Sequence, residues 1–308
     1  MKLNGVLFFP LTPFTPDGQV ATDVLATHIA GGLEHGPGGV FVACGTGEFH
    51  SLSTAEHAAA VRTAVATTAG RVPVLAGAGG PLGAALEQAA NAREAGADGL
   101  LLMPPYVAKS PTEGFAAYVR AVAEQGLPVV LYQRDGVVLD PATAVDLARI
   151  PGVVGLKDGN GDIDRMHRVV LAIRREIGEG FAFFNGLPTA ELTVPAYRGI
   201  GVDLYSSAAF CFAPEVATAF HRALTGGDQD VVGRLLSEFY GPLVELRSRV
   251  PGYAVSLVKA GARLRGLEVG PVRAPLVEPS AEDLKELARI IDTGLALVGA
   301  EARVEGGV

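Results

Sequence analysis

The chain is poor in several residue types and segments. It has no tryptophan and only two cysteines, Cys44 and Cys211, too few for a disulfide framework and suited to a reducing compartment. No uncharged apolar run approaches the ~20 residues that a membrane-spanning helix needs. Basic residues are outnumbered, 25 Lys and Arg against 33 Asp and Glu, and the net charge of −8 repels polyanions. Nucleic acid and anionic membrane are therefore not expected as partners. The opening Met1-Lys2-Leu3-Asn4-Gly5 carries no secretory apolar region, so a cytoplasmic location is expected. The six histidines, all but His50 away from strand ends, show neither H-x-H nor H-E-x-x-H spacing, so no metal is expected.

What is present is a large apolar fraction, 49% of 308 residues, with 40 glycines. That length allows two ordinary domains or one large α/β barrel. Eight short apolar runs decide between them: residues 5–11, 39–43, 73–77, 99–103, 128–132, 153–157, 181–185 and 202–206. Between them lie helical patterns, one of them opened by Ser53-Thr54-Ala55-Glu56, an N-cap followed by an acidic first turn. Eight such alternations imply an α/β protein of the (β/α)8 TIM-barrel class. A doubly wound open sheet is disfavoured, because the first strand–helix turn, Pro13 to Gly18, lacks a G-x-G-x-x-G fingerprint. From Pro214 onward the pattern is entirely helical, with segments at 214–224, 228–249, 253–265 and 281–298. The expected organisation is a catalytic barrel over residues 1–225 and a C-terminal helical extension, 226–308, packed on it.

Active sites of such barrels lie at the C-terminal ends of the strands. Those ends carry Thr12, Gly45-Thr46-Gly47-Glu48, Tyr132, Lys157, Asn185-Gly186 and Ser206-Ser207. Lys157 follows the apolar run Val153-Val154-Gly155-Leu156, where poor solvation lowers an amine's pKa from ~10.4 towards neutrality. A neutral amine attacks a ketone and forms a Schiff base; the alternative is a strand-end lysine pointing into water. Tyr132 ends the preceding strand and is either a proton carrier for that amine or a rim aromatic. Gly45-Thr46-Gly47 is either an anion nest or an ordinary glycine-rich turn. Glu48 either orients this loop or forms its solvated edge. Lys259 competes with Lys157, but on a helix outside the barrel a snorkelling stem is the default.

Taken together, the segments 5–14 (GVLFFPLTPF), 43–52 (ACGTGEFHSL), 103–106 (MPPY), 132–135 (YQRD), 155–164 (GLKDGNGDID), 183–191 (FFNGLPTAE), 205–208 (YSSA) and 252–264 (GYAVSLVKAGARL) resemble the dihydrodipicolinate synthase/N-acetylneuraminate lyase superfamily. Within it they are most similar to the 5-dehydro-4-deoxyglucarate dehydratase family. The resemblance implies Lys157 as the Schiff-base lysine, Tyr132 as the proton relay, and Gly45 and Thr46 as the grip on the carboxylate beside the ketone. Asn185, Ser206 and Ser207 are the expected partners of the substrate's other end. It also implies a small-molecule sugar-acid substrate, no cofactor, and a homo-oligomer, either tetramer or dimer.

The chain departs from the dihydrodipicolinate synthase pattern in three places. Gly45-Thr46 replaces a pair of threonines, Val107 follows Tyr106 where a second tyrosine is used, and Gly136-Val137-Val138 offers no arginine. These departures argue against lysine biosynthesis. Gln133 stands where the dehydratase pattern has asparagine. The implied reaction is dehydration and decarboxylation of a keto sugar diacid through an iminium. The alternatives are a retro-aldolase or synthase of the same superfamily acting on another 2-keto acid, and a non-catalytic sugar-acid-binding barrel.

Overall fold

The computed structural model describes residues 2–105 and 110–299. Val107, singled out above, lies outside the described residues.

Eight parallel strands close into a barrel, each paired to the next and the last to the first. They are β1 (Val6–Phe8), β2 (Gly39–Val42), β3 (Val74–Ala78), β4 (Gly99–Leu102), β5 (Val129–Gln133), β6 (Val153–Asp158), β7 (Ala182–Asn185) and β8 (Leu204–Ser207). Helices α1 (Thr22–Leu33), α2 (Thr54–Thr68), α3 (Leu82–Ala95), α4 (Thr112–Ala123), α5 (Pro141–Ala148), α6 (Ile163–Glu176), α7 (Val194–Gly199) and α8 (Pro214–Gly226) follow the strands in turn. Strands this short are buried on both faces, so they read as apolar runs rather than alternating patterns. Alternation reappears in where the residues go. Leu7, Phe41, Leu75, Leu101, Val130 and Phe184 fill the barrel interior. Their neighbours, among them Phe8, Val40, Leu100 and Phe183, pack outward against the helices.

Local chemistry starts several helices where the sequence suggests. The Ser53 hydroxyl accepts from the Glu56 N–H and the Glu56 carboxylate accepts from the Ser53 N–H, a reciprocal cap on α2. Asp140 caps α5 ahead of Pro141, whose missing N–H costs nothing at a helix start.

One irregularity positions the chemistry. Along β5 and β6, Val129 pairs with Val153 but Val130 pairs with Gly155, so Val154 is an extra residue. The shift changes the phase of β6: Leu156 faces the helices, and Lys157, opposite Tyr132 and Phe184, turns into the barrel.

The extension holds α9 (Gln229–Leu235), α10 (Gly241–Arg247), α11 (Tyr253–Leu264) and α12 (Ala281–Leu297). A single helix was expected from 228 to 249. Instead a π-helical turn, Leu236–Tyr240, separates α9 from α10, because Pro242 has no N–H to continue an α-helical ladder. Pro195 acts likewise after β7, where a 3-10 turn, Ala190–Leu192, precedes α7 in place of one continuous helix. No helix among the described residues is long and apolar enough to cross a membrane.

Candidate active site

Lys157 is 6% exposed, on the innermost stretch of the barrel mouth. Its Nζ lies 4.3 Å from the Phe9 ring centre and 4.4 Å from that of Tyr132. Gly186 makes room for it: a Cβ there would stand 2.6 Å from the lysine Cε. Burial among rings pulls the amine pKa down to about 7, and the Arg134 charge adds to the effect. The Cys44 sulfur acts in the opposite sense, but burial pushes that thiol up to about 12, so it stays neutral. Asp158, the next residue, faces away. Its carboxylate accepts from the Gln133 amide at 2.8 Å and the Asn160 N–H at 3.0 Å, and from the Tyr197 hydroxyl.

Tyr132 is equally enclosed, and burial raises its pKa. Its hydroxyl donates to the Gly186 carbonyl at 3.0 Å and accepts from Arg134 Nη1 at 3.4 Å. Phenol and amine thus share the floor of a cavity of about 400 Å³. Gly45 and Thr46 form one wall. Their loop is fixed from outside, where the Thr12 hydroxyl donates to the Gly47 carbonyl at 2.7 Å.

The structure brings Lys157, Tyr132, Gly45, Thr46 and Ser206 to this cavity. Asn185 and Ser207, expected beside them, do not line it. The Asn185 amide donates to the Ala190 carbonyl and the Thr193 hydroxyl, at 3.1 and 2.8 Å, and Ser207 donates to the buried Glu191 carboxyl. The reason is strand alternation: Phe184 and Ser206 face inward, so the residue after each faces outward. Gln133 is also outside the cavity. It bridges Asp158 to the Leu139 N–H, behind the barrel wall.

One further expectation changes, and one open alternative closes. Lys259 does not snorkel: it is fully buried and places its Nζ 2.6 Å from Glu48 Oε1. Glu48 is likewise buried, in a left-handed conformation (φ 55°), so it orients the loop rather than forming a solvated edge. The stretch 136–138, which offers no arginine, follows directly on an arginine that does reach the cavity, Arg134.

Residues the sequence reading missed come largely from outside the strand ends. Arg134 lay within a quoted segment without a role. Arg247, Tyr253 and Leu276 reach the cavity from the extension, where no spacing rule points to them. Thr189, at the far end of the β7 loop, completes the rim. Among the described residues no three His, Cys, Asp or Glu side chains gather as a metal-binding group.

The Dihydrodipicolinate synthetase family matches residues 2–293. A probable 5-dehydro-4-deoxyglucarate dehydratase 1 of Streptomyces coelicolor is 58% identical over 96% of this chain and 94% of its own length. One of Azotobacter vinelandii is 44% identical over 94% of each chain. The crystal structure of dihydrodipicolinate synthase from Bacillus clausii superposes with a TM-score of 0.85 at 28% identity, covering 94% of this chain and 97% of that one. A prophage protein of the family from E. coli K12, solved in complex with pyruvate, gives 0.82 at 25% identity, covering 96% and 99%. The chain belongs to the dihydrodipicolinate synthetase family, and within it resembles the 5-dehydro-4-deoxyglucarate dehydratases.

Proposed function

We propose that the protein is a Schiff-base lyase that converts 5-dehydro-4-deoxy-D-glucarate to 2,5-dioxopentanoate, water and CO2. The observation that carries the chemistry is a buried lysine whose amine titrates near pH 7, beside a phenol, at the floor of a closed barrel. The substrate assignment is supported by full-length relatives that bear the dehydratase name at 53–58% identity.

The neutral Lys157 amine attacks the ketone, and Tyr132 carries protons between the carbinolamine oxygen and nitrogen as water leaves. The resulting iminium acidifies the neighbouring CH2. Loss of a proton there gives an enamine, which expels the β-hydroxyl as water and leaves an iminium conjugated to a carbon–carbon double bond. The bond to the far carboxylate then breaks, its electron pair flows into the conjugated iminium, and CO2 departs. Protonation and hydrolysis free the lysine and release 2,5-dioxopentanoate. The N–H groups and hydroxyl of Gly45-Thr46 hold the carboxylate beside the ketone, and Ser206 faces the hydroxylated carbons. The iminium is itself the electron sink, so the sequence of steps balances without a redox partner. The same reading takes the enzyme to be a cytoplasmic homo-oligomer.

The test is incubation with 5-dehydro-4-deoxyglucarate. One CO2 and one 2,5-dioxopentanoate per substrate are expected, and borohydride added during turnover should label Lys157. Cleavage to two carbonyl fragments without CO2 would assign a retro-aldolase instead.

A further inference from the structure

With Asn185 and Ser207 turned away, the cavity needs another partner for the far carboxylate of a diacid. Helix α10 ends at Arg247 on the rim. Its Nη1 donates to the Pro188 carbonyl and to the Thr189 hydroxyl, the latter at 3.1 Å, which ties it to the loop after β7. Nε and Nη2 make no hydrogen bond among the described residues, and no carboxylate there forms a salt bridge with this guanidinium. These two nitrogens form the side-on edge of the fork, the edge that takes a carboxylate with two parallel bonds. Arg134, the other arginine of the cavity, is engaged with Asp135 at 3.2 Å and with the Tyr132 hydroxyl. Glu191, the buried acid whose charge Arg247 feels, is held up to about 7 by burial, so near pH 7 it neutralises Arg247 only in part.

The spacing fits. The β7 loop starts at Gly186, against Lys157, and three residues on reaches Thr189, against Arg247, so the two contact points are at most about 10 Å apart along the backbone. A six-carbon keto diacid bound through its ketone carbon places the far carboxyl carbon about 5 Å away, with bonds of ~1.5 Å. A charge-assisted N–H···O contact of ~2.8 Å supplies most of the remainder.

We propose that Arg247 binds the far carboxylate of the substrate, so that the C-terminal extension sets the preference for a diacid over a 2-keto monoacid. This rests on the reading above that the substrate is a keto diacid. The carboxylate departs as neutral CO2, so the ion pair is stronger in the bound substrate than in the transition state for its loss. Arg247 therefore acts on binding rather than on the breaking bond.

The experiment compares Arg247→Ala and Arg247→Lys with wild type, using 5-dehydro-4-deoxyglucarate and pyruvate. Removing a charged double hydrogen bond should raise KM for the diacid about 10- to 150-fold, with kcat changed less than about threefold. Half-maximal borohydride labelling by pyruvate should not move, because pyruvate has no second carboxylate. Arg247→Lys should recover part of the diacid affinity. An unchanged diacid KM overturns the proposal. So does equal weakening of both ligands, which would mean that Arg247 only braces the β7 loop. Wild-type enzyme that neither keto acid labels would remove the Schiff-base reading itself, and the subsite with it.

Discussion

Lys259, on α11, and Glu48, in the loop after β2, meet as a fully buried ion pair, 2.6 Å apart across 211 residues of sequence. The same carboxylate accepts the Arg273 N–H at 2.8 Å, so the extension grips the loop that presents Gly45 and Thr46. Removing one partner of a buried pair leaves an uncompensated charge. Lys259→Met should therefore cost about 3–5 kcal/mol, read as a lowered urea midpoint, with a raised KM for keto acids. Glu48→Gln combined with Lys259→Met should recover most of the stability. A single variant as stable as wild type would show that the pair holds nothing in place.

Lys157 sets a pH signature. With its pKa at about 7, roughly half the amine is neutral at that pH, against less than one in a thousand for an ordinary lysine at ~10.4. The rate of imine formation in a single turnover should rise about tenfold per pH unit below ~6 and level off above ~8. A rate still climbing at pH 9.5 would contradict this. The linkage runs in a matching direction. Between about 7 and 10.5 the unfolded lysine holds a proton that the folded one lacks, so its cost to stability is full below 7 and fades as pH rises through that window.

Much of the barrel was legible because a parallel strand buried on both faces has to be apolar, and eight such runs were spaced by helices. Lys157 and Tyr132 stood out as polar groups at the ends of those runs. The outward turn of Asn185 and Ser207 was readable in principle: Phe184 and Ser206 take the inward positions, and period-two alternation sends the next residue outward. The bulge at Val154 was not readable, although it turns Lys157 into the barrel. Nor were the roles of Arg247 and Lys259, because their partners lie tens or hundreds of residues away, and only the packing of the extension brings Arg247 to the mouth and Lys259 to Glu48.

Glu191 is a second titrating group, buried on the outer side of the barrel wall. Its Oε2 has no hydrogen-bond partner among the described residues, and burial raises its pKa to about 7. Between about 4.5 and 7 the unfolded carboxyl loses a proton that the folded one keeps, so this residue's contribution is full below 4.5 and is lost as pH rises through 7. Glu191→Gln removes that loss while leaving an oxygen for Ser207. It should be more stable than wild type at pH 8, by on the order of 2 kcal/mol, and closer to it at pH 5. A stability difference that does not vary with pH would count against a buried, partly protonated acid.

The remaining prediction separates the two groups on the cavity floor. Lys157→Arg keeps a positive charge but replaces the nucleophile with a guanidinium that stays protonated. The protein should fold, show no turnover, and take up no label from borohydride and a keto acid. Tyr132→Phe keeps the amine and its ring contact and removes the hydroxyl bonded to Gly186 at 3.0 Å. One proton carrier is lost but the electrophile chemistry is intact, so turnover should fall about 10²- to 10⁴-fold while slow labelling of Lys157 persists. Turnover by Lys157→Arg, or label found on Lys259, would move the nucleophile elsewhere. Full activity in Tyr132→Phe would leave Lys157 in place and assign the proton transfers to another group at the mouth.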